Sequence, residues 1–303
     1  MVDDERVARV LDRVPGTSDP AREVRELSGG LTNTNLKVTT PERALVVRLF
    51  GEADLLDIDR DAEHENTRRA AESGVGPGVV AYLPDERALV IDWVEGRTWE
   101  AHDLAVEDNL VRVAAGCRQL HAGPRFVGDF DMVTVQRRYQ AIVREHGFRV
   151  PARYFDFATA VDRVTAALAA RPAATVPCNN DLLAANFIDA GDRLWIIDYE
   201  YAGNNDACFE LGNIWSEASL PPEHLDLLVG AYVGRHVPSQ VARARLHGLL
   251  SKYGWTLWAS IQAAASPIDF DFWEWGMEKY DRAVAEFDGP DFARLLDEAA
   301  DPD

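Results

Sequence analysis

Three polar side chains in one short region carry the strongest chemical signal in this chain. Asp181 and Asn186 lie in PCNNDLLAANF (177–187), and Asp198 follows in WIIDYEYAG, with apolar residues between them. A carboxylate that accepts a hydroxyl proton, with a carboxamide and a second carboxylate that hold Mg²⁺ on nucleotide phosphates, is the division of labour that phosphoryl transfer requires. CNNDLLAANFI leads into a short strand. A turn at Asp189-Ala190-Gly191-Asp192 follows, then a second strand, RLWIID, so the three residues are expected to converge around one β-hairpin.

The elements that must position them change character near residue 97. Before it, EVRELSG, TNLKVTT and ALVVRLFG are short β-rich runs separated by turn signals, Gly29-Gly30 and Thr40-Pro41. A charged helical segment, 58–73, interrupts them and stops at Gly74 and Gly76-Pro77. VVAYL and ALVIDWV are two further strand candidates. After Gly96 the apolar spacing is mostly helical, as in NLVRVAAGCRQLHA and HGLLSKYGWTLWASIQAAA, with a β-rich island at 187–198. The expected fold class is α+β, with residues 1–97 as a small antiparallel-sheet lobe and 98–303 as a larger, mainly helical lobe. The tail DEAADPD is expected to fray.

Composition narrows the function classes. With 303 residues and 47% hydrophobic content, each lobe has material for a core around a cleft. A net charge of -20, with no Lys/Arg cluster interleaved with aromatics, argues against nucleic acid and points to a small cationic partner. No run approaches the roughly 20 apolar residues that span a bilayer, so no membrane insertion is expected. The N-terminus MVDDERVARVLDRV lacks a signal-peptide apolar segment, and the expected location is cytoplasmic. Cys117, Cys178 and Cys208 form no C-x-x-C and read as small buried residues. There is no H-E-x-x-H, G-x-S-x-G or Walker loop.

The spacing D-x-x-x-x-N matches the catalytic loop of protein kinases, with Asp198 where their metal-binding Asp sits. More specifically, the segment resembles the aminoglycoside phosphotransferase and choline kinase superfamily, whose signature reads H-N-D-L-x-x-x-N followed by I-D-x-E-Y-A. The resemblance extends over almost the whole chain and implies a protein-kinase-like bilobal fold that uses ATP and Mg²⁺. Asp181 is then the catalytic base, and Asn186 and Asp198 are the metal ligands. LSGGLTNTNLKV looks like the family's phosphate-covering turn, in which Gly29 and Gly30 permit close approach and Thr32 and Asn33 offer backbone N–H groups to phosphate. Arg48 in ALVVRLFG stands where choline kinases also use arginine on the phosphates. Its expected carboxylate partner is Glu63 in preference to Glu65, although either reads equally as solvated helix surface. LVIDWVEG resembles the lobe-joining segment, whose backbone from Asp92 to Val94 would hold adenine, with Gly96 allowing lobe movement. His121 in RQLHAGPRF reads as a structural hydrogen-bonding residue.

The acceptor is read from the C-terminal part. Trp255 and Trp258, three apart, share a helix face, which taken alone is ordinary core packing. With Phe270 and Trp275 they match aromatic positions of the choline-site segment of choline and ethanolamine kinases, where aromatic faces hold a trimethylammonium group. Glu217 in LGNIWSEAS matches the family position near that ammonium. The implied activity is phosphorylation of the hydroxyl of choline or a similar cationic amino alcohol, with choline ranked above ethanolamine, thiamine and aminoglycosides. One departure keeps a non-catalytic nucleotide- or choline-binding alternative open: Asn179 replaces the signature histidine. A milder one is Glu210, where relatives commonly have Asp.

Overall fold

The computed structural model describes residues 4–27, 32–51 and 55–301. The first helix, α1 (Asp4–Asp12), was not read as an element from the sequence. Next come strands β1 (Glu23–Leu27), β2 (Asn33–Thr39) and β3 (Ala44–Phe50), helix α2 (Arg60–Ser73), and strands β4 (Val79–Leu83) and β5 (Ala88–Asp92). The strands form one antiparallel sheet in the order β1-β2-β3-β5-β4.

Strand periodicity explains how this sheet serves a site. Leu36 and Val38 on β2 and Leu45, Val47 and Leu49 on β3 turn to one face and bury against Val7, Val10 and Leu11 of α1. Their alternates, Asn35, Val46 and Arg48, therefore face the other side, where they line a cleft. A fully buried Leu or Val contributes about 1.5–3 kcal/mol, so the apolar face fixes the register that aims Arg48. Helix α2 starts at Asp59, whose side chain accepts from the Ala62 amide, and ends at Gly74 with φ 87° in the left-handed region. The cap sets the helix phase that places Glu63 inward.

The remainder is mostly helical: α3 (Ala101–Leu104), α4 (Glu107–His121), α5 (Met132–His146), α6 (Ala158–Ala170), α7 (Ala207–Glu217), α8 (Pro222–Val233), α9 (Pro238–Ala265), α10 (Phe272–Phe287) and α11 (Phe292–Ala300). Helix α9 runs through the middle of this part, packed by α5, α7, α10 and α11. The α7–α9 crossing depends on glycine: a Cβ on Gly212 would lie 2.0 Å from the Ala244 carbonyl oxygen. Close approach there brings the C-terminal end of α7, with Glu217, beside the tryptophans of α9.

Short strands stitch the region around the opening motif. β6 (Arg97–Thr98), β8 (Phe187–Asp189) and β9 (Leu194–Ile196) form one small sheet, and β7 (Val176–Cys178) pairs with β10 (Gly203–Asn205). β8 and β9 are the expected hairpin, with Asp189 opposite Leu194. β6, β7 and β10 are too short for periodicity to reveal. Gly96 has a packing role at this junction, since a Cβ there would sit 2.6 Å from the Asp189 carbonyl oxygen. The tail departs from expectation: Asp297–Ala300 belongs to α11, and Ala299 is buried against the α9 core. Among the described residues, no helix is long and apolar enough to cross a membrane.

Candidate active site

A cavity of about 320 Å³ opens between the sheet and the helical part. The opening motif forms its floor. Asp181 follows β7, Asn186 ends a single 3-10 turn (Ala184–Asn186) that runs directly into β8, and Asp198 comes two residues after β9. The Asn186 Nδ2 donates to the Asp181 carbonyl oxygen at 2.7 Å, so that its Oδ1 is free of this contact. Asp198 is held with φ 66°, unusual for a residue with a side chain. Such strain persists only where surrounding contacts impose it, and it is concentrated at functional sites.

Asn179 supplies those contacts. Its Nδ2 donates to the carbonyls of Ile197 at 3.2 Å and Asp198 at 2.6 Å, while its Oδ1 accepts from the Asp181 amide at 3.1 Å. One carboxamide thus joins the loop that carries Asp181 to the loop that carries Asp198. Glu210 fixes the same loop from α7, accepting the Asn179 and Asn180 amides at 2.9 and 2.8 Å, and Asn213 accepts the Leu182 amide at 3.0 Å. His121 lies behind this layer, paired with the Tyr232 hydroxyl at 2.7 Å, in a structural place. The Asp181 carboxylate itself makes no hydrogen bond among the described residues. Burial first, then Glu217, Asp198 and Glu200, raises it well above the usual carboxylate range, with Lys279 opposing.

Above the floor lies a chain of charges. The Arg48 guanidinium meets Glu63 at 2.8 Å and Asp198 at 2.7 Å. Burial opposes its charge, but Asp198 and Glu63 more than compensate and hold it protonated. Glu63 also takes Arg60 at 2.7 Å, whereas Glu65 pairs with Arg68 and Arg69 along the outer face of α2. Glu200, two residues beyond Asp198, accepts from the Thr32 hydroxyl at 3.0 Å, Asn33 Nδ2 at 2.9 Å and Arg60 at 3.3 Å. It ties the turn before β2 to the loop that carries Asp198. Burial, then Asp198, pushes the Glu200 carboxyl up to about 7 against the pull of Arg48. Gly30 and Gly29 lie outside the described residues. At the far end, Asp92 and Val94 line the cavity, and the Asp92 side chain pairs with Arg43 at 2.7 Å. The Trp93 amide is spent on the Ala44 carbonyl, while the Val94 amide has no backbone partner among the described residues.

The opposite end of the cavity is aromatic. Trp255, Trp258 and Trp275 line it together with Tyr201 and Glu217. Trp258 meets Trp275 edge-on at 5.5 Å and donates its Nε1 to the Tyr201 hydroxyl at 2.9 Å. Tyr201 in turn meets Trp255 at 4.9 Å. Phe270 is a correction: it does not reach the cavity. It precedes α10, stands 42% exposed and packs against Phe272, and it is Phe272 that turns inward onto Trp258 at 5.7 Å. Residues 272, 275 and 279 share the inward face of α10 by helical spacing, which leaves 270 outside. Glu200, Tyr201 and Lys279 were not singled out from the sequence. The first two stand in the quoted DYEYA, two and three positions past Asp198, to which a role was given.

Carboxamide and carboxylate oxygens at Asn186 and Asp198 form a hard donor pair of the kind Mg²⁺ takes alongside phosphate oxygens, so the floor fits that ion. Asp181, Asn186, Asp198 and Arg48 thus stand around one cleft. The family model for choline/ethanolamine kinase matches residues 24–225, and the chain belongs to that family. It is similar to a probable ethanolamine kinase of Arabidopsis thaliana, 25% identical over 298 residues, covering 84% of this chain and 76% of that one. Among solved structures, a choline/ethanolamine kinase family protein from Mesorhizobium loti superposes with a TM-score of 0.85 at 28% identity, covering 98% of both chains. LicA in complex with AMP shares the fold, with a TM-score of 0.75 at 20% identity over 95% of this chain and 98% of that one.

Proposed function

We propose that this protein transfers the γ-phosphoryl group of ATP to the hydroxyl of a small cationic amino alcohol, choline or ethanolamine in type. The observation that carries the reading is that one cavity holds Asp181 between a charged end and an aromatic, carboxylate-bearing end. Arg48 orients the phosphates, Thr32 and Asn33 cover them, and the Val94 amide and Asp92 backbone take the adenine edge. Asn186 and Asp198 would hold Mg²⁺, which when bound supplies positive charge to the phosphate oxygens. Asp181 accepts the proton of the acceptor hydroxyl as that oxygen bonds to phosphorus and ADP departs. Trp255, Trp258, Trp275 and Tyr201 present π faces to the ammonium, each contact contributing about 0.5–2 kcal/mol with desolvation.

The boundary at 97/98 is our division between the nucleotide-holding lobe and the lobe that carries the catalytic and acceptor groups. The donor ATP and three unpaired cysteines fit the cytoplasmic placement expected above. Asn179 supports a catalytic reading over a non-catalytic one, because it makes the loop-to-loop hydrogen bonds that the substitution put in question. The test is ADP release from Mg²⁺-ATP with ethanolamine, choline, thiamine and kanamycin offered separately. Release stimulated by ethanolamine or choline is expected. ATP binding with no stimulation by any of the four would overturn the reading.

A further inference from the structure

The chain contains only three lysines among its 31 cationic side chains, and one of them stands behind the aromatic end of the cavity. Lys279, on α10, is buried to 2% exposure, and its ammonium pairs with Glu217 Oε2. It also lies 4.0 Å from the centre of the Trp275 ring, one helical turn away. It thus holds two cavity walls, one by charge and one by cation–π attraction, without itself lining the cavity. The other oxygen of the same carboxylate, Glu217 Oε1, is buried and has no hydrogen-bond partner among the described residues.

Residue type matters here. A lysine ammonium is a point donor that engages one oxygen, whereas the arginine used almost everywhere else in this chain is a fork that takes both. Pairing with Lys279 offsets the Glu217 charge while leaving Oε1 unsatisfied, and a buried unsatisfied acceptor is costly unless a donor arrives. Aromatic faces ask only for a cation. A bare carboxylate oxygen asks for an N–H.

We propose that Lys279 is a specificity-determining positioning residue: by holding Glu217 through one oxygen it leaves Oε1 as a single acceptor that selects amino alcohols whose ammonium bears at least one N–H. This rests on the function proposed above and refines it. The aromatic positions alone had placed choline first; the unpartnered oxygen shifts preference away from the fully methylated ammonium.

The N-methyl series separates the two demands. Ethanolamine, its N-methyl and N,N-dimethyl forms, and choline keep the hydroxyl and the charge, but only choline lacks an N–H. kcat/KM for each, with binding measured independently by tryptophan fluorescence, is expected to be similar for the first three and to fall about tenfold at choline, the scale of one charge-assisted hydrogen bond. The fall should lie in KM, with kcat little changed. Lys279→Arg, which keeps the charge but occupies both oxygens, is expected to raise KM for the N–H-bearing acceptors and erase the step, with KM for ATP unchanged. Lys279→Met removes the clamp and is expected to weaken the step also; its melting temperature reports the separate cost of an unpaired buried carboxylate. Choline used as well as or better than the dimethyl form, or an unaltered step in a folded Lys279→Arg protein, would overturn this inference while leaving the kinase reading intact. Failure of all four to bind or react would remove the kinase reading itself.

Discussion

The two ends of the cleft are built on opposite plans. At the proposed phosphate end, charges satisfy one another: Arg48 joins Glu63 to Asp198, Arg60 joins Glu63 to Glu200, and Glu200 reaches Thr32 and Asn33. At the proposed acceptor end, aromatic rings predominate, and among the described residues polar atoms are left over, Glu217 Oε1 and Trp255 Nε1 among them. The first end is held in shape by its own ion pairs, each of which leaves a partner charge stranded if broken. The second is held by packing and by the buried Lys279 pair, and so keeps polar capacity for a ligand. A phosphate site serves one invariant group, whereas an acceptor site must discriminate between similar ones.

This contrast fixes what substitutions should do, beginning with the largest effect. Arg48→Met removes the cation that couples both carboxylates, and kcat/KM should fall roughly 10²- to 10³-fold, the scale for losing one preorganised charge-stabilising donor. A loss under tenfold would place Arg48 in a structural role only. Glu63→Gln leaves Arg48 tied to Asp198 alone; steady-state kinetics should show a loss of about tenfold to a hundredfold with ATP affinity also reduced, through misplacement. If Glu63→Gln acts on the acceptor KM instead, the two ends are not separate units. Trp258→Ala should raise the acceptor KM about tenfold with ATP binding unchanged, and an unchanged acceptor KM would assign that ring to the core.

The smallest predicted effect links the ends. Asp181 lies between them, and after burial the Glu217 charge is the main cause of its raised proton affinity. A base must be ionised to act, so activity falls as pH drops through its pKa. The acid limb of kcat/KM, which reports free-enzyme groups, should therefore lie above the ordinary carboxylate value of about 4. Glu217→Gln removes a raising charge and should move that limb downward. An upward shift, or an acid limb already at the ordinary value, would mean that Asp181 does not sense the acceptor end.

Much of this was legible beforehand because the signals are local. Asp181, Asn186 and Asp198 flank one hairpin, and the strand period that aims Arg48 is visible in ALVVRLFG. Helical spacing put Trp255 and Trp258 on one face, while the preference for Glu63 over Glu65 and the choice of Trp275 came from the family resemblance. Phe270 misled because its type matched while its place, just outside α10, was set by where that helix begins. Lys279 was invisible for the opposite reason. Its meaning depends on Glu217 across 62 residues, and a lone lysine on an amphipathic helix reads as solvated surface until its partner is seen. The Asn179 hydrogen bonds likewise needed coordinates to show that a shorter side chain spans the two loops.

The most direct measurement is turnover of Asp181→Asn beside the unaltered protein, with ATP affinity determined on both. The substitution keeps size and removes only the proton-accepting charge. If Asp181 is the base, kcat falls roughly 10²- to 10⁴-fold, the range for a lost general base, while ATP binds almost as before. Near-normal turnover in that variant would contradict the assignment of Asp181 and, with it, the chemistry proposed for the floor of the cleft.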